Sequence, residues 1–138
     1  SDLDRGQGAA LTAMDPASPG SDNPLALGPA GTAHMTLDDY ARWLRVFLNA
    51  GDGWLSPASV VTLSTPAVGE GMPYALGWGA PPHAAWAQGP ALGHEGSNTL
   101  WHVAVAVAPT RGLAFIAATN VGAQNGVAGD LMQRLIRA

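Results

Sequence analysis

The side chains that could do chemistry in this sequence are its histidines, carboxylates and hydroxyl groups, because its 138 residues include no Cys and no Lys. Thiolate catalysis, zinc–thiolate sites and mechanisms that need a Lys base within these residues are therefore excluded. His94 and Glu95 begin like a zinc-binding His-Glu-x-x-His helix, but Asn98 stands where the second His belongs. Gly93 and Gly96 bracket the pair, so we expect neither a helix nor a metal site there.

The other histidines and the nearby serine do not complete a known catalytic pattern. His94 and His102 are eight residues apart, which on one continuous strand is about 26 Å, too far to share an ion. We interpret His34, His83 and His102 as surface or packing residues. Ser97 lacks the Gly-x-Ser-x-Gly turn of an α/β-hydrolase nucleophile. We therefore expect no metal and no cofactor.

Composition limits the class of protein. Hydrophobic residues make up 47% of the chain, which excludes a fully disordered protein. Ten acidic residues outnumber six basic ones, which argues against binding to a nucleic-acid backbone. No apolar run approaches the about 18 residues of a membrane-spanning helix. We expect a globular domain, or a piece of one, with neither a nucleic-acid partner nor a membrane span.

Two parts of the chain differ in their patterning. Residues 1–35 are rich in Gly and Pro without helix or strand spacing, so we predict an irregular N-terminal segment, either disordered or shaped by something it lies against. Residues 36–138 carry regular apolar patterns and form the predicted α/β lobe, which opens with a capping box at Thr36 and Asp39. The predicted helices run from Thr36 to before Gly51, from Ser56 to about Leu63, and from a cap at Asn125 toward residue 138.

Strands are predicted from alternating apolar residues. In 100–108, one face carries Trp and Val and the other carries His and Ala. A turn at 109–112 leads into 113–119, which is apolar on both faces, and a weaker strand is predicted at 74–79. We therefore expect an α/β fold of the α+β type, an antiparallel sheet of two to three strands flanked by helices. The last helix should cover the small face, and the Thr36 helix the other face or the edge.

Several short motifs follow one another along the chain in a recognisable order. They are Pro29-Ala30-Gly31, Leu55-Ser56-Pro57, the segment 74–79, the segment 93–98 and Thr119-Asn120. From Pro29 to its end, the chain resembles the C-terminal part of the serine β-lactamase-like hydrolases, which include class C β-lactamases, D-alanyl-D-alanine carboxypeptidases and related esterases. The resemblance implies a partial β-lactamase/transpeptidase-like fold. The resemblance, and no other feature of the sequence, implies a periplasmic or secreted location.

The resemblance also assigns a candidate site just before the valine-rich strand. The family carries a Lys or His, a variable residue and a Gly on the strand that edges its cleft, and His94-Glu95-Gly96 resembles this motif. The resemblance implies two catalytic roles: His94 orients the substrate carbonyl or carboxylate, and the backbone N–H of Ser97 stabilises the oxyanion. Glu95, Gly96 and Asn98 then contact the substrate. The alternative interpretation is a glycine-rich turn that leads into a strand.

Two departures from the family pattern shape the functional prediction. Glu95 stands where many relatives have a small or hydroxyl residue, so we expect a substrate carboxylate, and β-lactam turnover with it, to be disfavoured. The nucleophile motif Ser-x-x-Lys is absent, and neither Tyr40 nor Tyr74 begins a Tyr-x-Asn motif. We predict the C-terminal lobe of a serine hydrolase that acts on a small ester, amide, peptide-like or β-lactam substrate through an acyl-enzyme, its nucleophile lying in a preceding helical part. The alternative is a non-catalytic binding or structural module derived from that fold.

Overall fold

In the computed structural model, which describes residues 13–69, 71–122 and 126–138, helices flank one antiparallel sheet. The helices are α1 (Gly28–Gly31), α2 (Leu37–Leu48), α3 (Pro57–Ser64) and α4 (Val127–Arg137). The strands are β1 (Leu92–Ser97), β2 (His102–Ala108) and β3 (Leu113–Thr119), and they lie in the order β1-β2-β3. This arrangement confirms the predicted α+β class.

Side-chain caps start α2 and α3 where the sequence predicts them. The Thr36 Oγ1 accepts a hydrogen bond from the backbone N–H of Asp39 at 3.1 Å. The Ser56 Oγ accepts in the same way from the N–H of Ser59, also at 3.1 Å. Each cap satisfies an amide that has no partner inside its own helix. α3 then ends at Ser64, and the next residue, Thr65, is extended because a proline follows it.

The two faces of β2 pack against different helices. On one face, here called the valine face, Val105 and Val107 lie in a buried cluster with α2 side chains that include Phe47. On the opposite alanine face, Ala104 and Ala106 lie in a second cluster with side chains of α4. The bulky and small faces are therefore confirmed. α2 covers the bulky face, one of the two places predicted for it.

The segment 74–79, predicted as a strand, forms a tight turn instead. Tyr74 and Gly79 form an isolated antiparallel bridge, and Gly77 between them has φ +88°. Glycine adopts this φ at little cost, and it interrupts an extended run. Beyond the turn, Gly79 exchanges two backbone hydrogen bonds of 2.9 Å with Gly93 and so lies beside β1. The strand prediction is wrong here because the glycines reverse the chain.

Part of the N-terminal segment has regular structure. Residues 25–31 form a 3₁₀ turn followed by α1, where the sequence analysis predicts an irregular chain. The Pro29 ring suits the first turn of a helix, because that position needs no N–H donor. The side chains of Asp22 and Asn98 meet, with 3.3 Å between Oδ1 and Nδ2. The N-terminal segment therefore contacts the turn that follows β1 through Asp22.

One boundary of β2 differs from the prediction, and one of α4 falls outside the described residues. β2 begins at His102, two residues after the predicted start, because the N–H groups of residues 100 and 101 donate to the Asn98 side chain. The predicted cap of α4, Asn125, is outside the described ranges, and the residue that precedes α4 is Gly126, with φ +65°. Across the described ranges, no helix is long and apolar enough to cross a membrane.

Candidate functional site

β1 is an edge strand, and it holds most of the residues that the sequence analysis assigns to the site. One of its edges pairs with β2 in an unbroken antiparallel register. The backbone groups of Gly93 point to the other edge, where they bond to Gly79. Because backbone groups alternate in direction along a strand, the N–H of Ser97 lies on this same outer edge. The family resemblance places an oxyanion donor at this edge.

His94 lies beside a small cavity on the valine face. Its imidazole meets the Trp78 ring edge to face, with 6.4 Å between ring centroids, and Trp78 packs in turn on Phe47 at 4.9 Å. The cavity has a volume of about 210 Å³ and is lined by Tyr40, Trp43, Leu76, Gly77, Trp78 and His94. Burial raises the pKa of Tyr40, so its hydroxyl stays protonated. An exposed histidine at an aromatic cavity is well placed to contact a small ligand.

Glu95 lies on the opposite, alanine face of β1, because successive side chains of a strand alternate. Its Oε2 is 3.2 Å from Nε2 of His102. The His102 side chain is 5% exposed and that of Glu95 is 61% exposed. Among the described residues, Nδ1 of His102 has no hydrogen-bond partner. The structure therefore brings Glu95 to His102 rather than to His94.

The sequence-based distance between His94 and His102 assumes one continuous strand, and this assumption is wrong. The two residues do not lie on one continuous strand, because a turn at residues 98–101 places them on the neighbouring strands β1 and β2. They face opposite sides of the sheet, since only His102 shares a face with Glu95. Within the described ranges, no group of three or more His, Cys, Asp or Glu side chains could hold a metal ion.

Ser97 and Asn98 organise the turn between β1 and β2. The Ser97 Oγ donates to the Trp101 carbonyl at 2.5 Å and accepts from the Thr99 N–H at 3.0 Å. The Asn98 Oδ1 accepts from the N–H groups of Leu100 and Trp101, at 3.2 and 2.9 Å. Both side chains therefore have a structural role in the chain reversal, while the backbone of Ser97 belongs to the edge of β1.

Asn98 also connects this turn to the N-terminal segment. Its Nδ2 donates to Asp22, and Nε2 of His34 lies 3.4 Å from the second carboxylate oxygen of Asp22. The backbone N–H of Asn23 lowers the pKa of Asp22 most, and Asn98 and His34 lower it further. Residues far apart in the sequence thus meet next to the candidate site.

Asn98→Ala is expected to lower the free energy of unfolding by about 1–2 kcal/mol, because two backbone N–H groups lose their acceptor. Asn98→Asp is the matched control, since a carboxylate oxygen accepts the same two hydrogen bonds. Its repulsion of Asp22 is a small term at an exposed position. Urea unfolding followed by Trp fluorescence measures both variants. Equal losses in the two would contradict the role assigned to Oδ1.

Sequence reasoning missed the aromatic cavity and the Glu95–His102 pair. Tyr40 and Trp43 are three residues apart on α2 and so share a helix face, which is a signal that the sequence contains. Trp78 joins them only because the turn at 74–79 carries it to the edge of β1. No spacing rule reveals the Glu95–His102 contact, because it depends on the register between two strands.

Three comparisons with known proteins assign no family to the chain. No protein-family model matches it. No curated protein and no solved structure matches it either.

Proposed function

We propose that the chain is the C-terminal lobe of a serine hydrolase with a β-lactamase-like fold, which acts on an ester, amide or β-lactam carbonyl through an acyl-enzyme. One observation carries the proposal: His94 lies on an open edge strand, beside a cavity with aromatic walls. The order of motifs along the sequence supports it. The packing of α4 and α2 on the two faces of the sheet is compatible with such a lobe.

In this proposal the chain acts on the substrate carbonyl and supplies no nucleophile. During acylation, the oxygen of a serine outside these 138 residues bonds to the carbonyl carbon, the C–O or C–N bond of the substrate breaks, and the serine hydroxyl proton ends on the departing oxygen or nitrogen. In a β-lactam that nitrogen stays attached to the opened ring. His94 donates a hydrogen bond that orients the carbonyl or a substrate carboxylate. The backbone N–H of Ser97 stabilises the negative oxygen that forms. The expectation that Glu95 disfavours a substrate carboxylate stays a prediction, because Glu95 and His94 face opposite sides of β1 but both line one larger cavity.

The second candidate is a non-catalytic binding module. The lining of the cavity favours it, since Tyr40, Trp43 and Trp78 form a largely aromatic surface of the kind that holds small ligands. The absence of Lys also means that the Ser-x-x-Lys motif does not occur in this sequence. Both candidates use the same cavity, so a chemical probe for the acyl-enzyme step separates them.

A fluorophosphonate probe tests the proposed function. This chain alone should show no stoichiometric labelling, because oxyanion stabilisation without a nucleophile leaves acylation uncatalysed. A longer protein that contains the chain should be labelled at the serine of a Ser-x-x-Lys motif, as located by mass spectrometry. Ser59→Ala in that longer protein is the control and should be labelled equally, because Ser59 lies in α3 and lines neither cavity. Labelling of a serine within these residues, or none in the longer protein, would contradict the hydrolase proposal.

A further inference from the structure

A second cavity lies where α4, β1 and the chain between residues 72 and 91 meet. Its volume is about 510 Å³, within the usual range for small-molecule sites. Apolar walls come from Met72, Tyr74, Pro81, Trp86, Met132 and Ile136. Trp43 and Trp78, which line the cavity beside His94, do not contribute to it. The two cavities therefore differ in their aromatic walls and share His94, at the edge of β1.

Small side chains on β2 leave space for this second cavity. Ala104 and Ala106 line it, and longer residues at these positions would fill the space between the sheet and α4. One wall is held by contacts on two sides. The Trp86 ring lies 6.2 Å from that of Phe115, and the Trp86 carbonyl accepts a hydrogen bond from Arg111 Nη1 at 2.7 Å. These contacts fix the position of Trp86 and so help to shape the cavity.

Glu95 places a carboxylate in this mainly apolar lining. Nε2 of His102 lies 3.2 Å from one of its carboxylate oxygens, and the Glu95 side chain is 61% exposed. No Arg lines the cavity, and the aromatic rings of Tyr74 and Trp86 do. The chain has a formal net charge of −4, which adds to the attraction for a cation. An apolar cavity with one carboxylate and two aromatic rings favours a ligand that has both an apolar group and a positive charge.

We propose that the second cavity binds a small amphiphilic amine, whose aryl or alkyl group fills the apolar space and whose ammonium group contacts Glu95. An ammonium N–H donates a charge-assisted hydrogen bond to a carboxylate. The face of Trp86 or Tyr74 adds cation–π attraction to the same group. A neutral ligand of equal shape gains only from burial of its apolar surface, and an anionic one meets a like charge.

Three probes of one shape test this charge selectivity: 4-phenylbutylamine, 4-phenyl-1-butanol and 4-phenylbutyrate. Each is titrated into the full chain at pH 8 and followed by NMR. We expect the amine to bind about tenfold more tightly than the alcohol, and the butyrate to bind more weakly than either. Chemical-shift changes should centre on the Trp86 indole and the Met132 methyl group.

Glu95→Gln should remove the preference for the amine over the alcohol while the alcohol still binds, because the apolar walls are unchanged. Asp38→Asn is the matched control. It removes one negative charge from an exposed position in the first turn of α2, on the other face of the sheet, and should keep the preference. The proposal is overturned by the absence of saturable binding, by equal affinity for all three probes, by a preference that survives Glu95→Gln, or by shifts centred on Trp43 and Trp78.

Discussion

If the chain is the lobe of a serine hydrolase, as proposed, His94→Ala in the complete enzyme is expected to lower kcat/KM by about 10²–10⁴, the range for a positioned acid–base or oxyanion-type group. His94 is exposed on the edge strand, and its imidazole meets the Trp78 ring from the side. Its removal therefore leaves the buried cluster of the valine face in place, and we expect little change in melting temperature. Steady-state hydrolysis of an activated ester and thermal unfolding, measured on one preparation, check both expectations.

His83→Ala is the matched control for this experiment, because His83 is an exposed histidine that lines neither cavity. Its kinetics should equal those of the parent enzyme. His94→Gln provides a second comparison, since an amide donates a hydrogen bond without acid–base chemistry, and partial recovery of kcat/KM would assign His94 an orienting role. A His94→Ala variant that loses melting temperature and keeps kcat/KM would identify a structural histidine and remove the main support for the site.

The helices α2, α3 and α4 and the strand β3 could be predicted because their signals are local. Thr36 and Ser56 bond to amides three residues further along, so no distant contact decides where α2 and α3 begin. The sequence predicts β3 at 113–119, the bounds that the structure shows. Both α2 and α4 contact this strand, which is why neither of its faces is polar and why its apolar run is unbroken.

β1 and the turn after it could not be predicted in this way. The strand contains two glycines and a His-Glu pair, four of its six residues are exposed, and it lacks apolar alternation. It is extended because it pairs with β2, and strand propensity depends on such neighbours. The turn has a local signal in Ser97 and Asn98, whose side chains bond to nearby backbone groups. The alternative interpretation places a glycine-rich turn at 93–98, whereas the structure has strand β1 there and the turn after it, at residues 98–101.

Gly51→Ala is expected to lower the free energy of unfolding by about 3–4 kcal/mol, a large effect for one methyl group. Gly51 follows α2 with φ +109°, which L-residues rarely adopt, and its N–H donates to the Val46 carbonyl at 2.8 Å. A Cβ at this position would overlap the carbonyl oxygen of Leu55. That oxygen belongs to the backbone leading into α3, so relief of the overlap requires the connection between α2 and α3 to move. Urea unfolding with linear extrapolation measures the loss.

Gly53→Ala separates the cost of the backbone conformation from the cost of the overlap with Leu55. It adds the same methyl group two residues further along the same connection. Gly53 has φ +77°, and nothing lies within 4 Å of an added Cβ, so only the backbone conformation opposes the substitution. We expect a loss of about 1–2 kcal/mol there, the usual penalty for an L-residue with positive φ. The remaining difference of about 2 kcal/mol measures the overlap with Leu55. Equal losses would show that this backbone moves freely, which would contradict the packing of the Leu55 side chain against the buried cluster of the valine face.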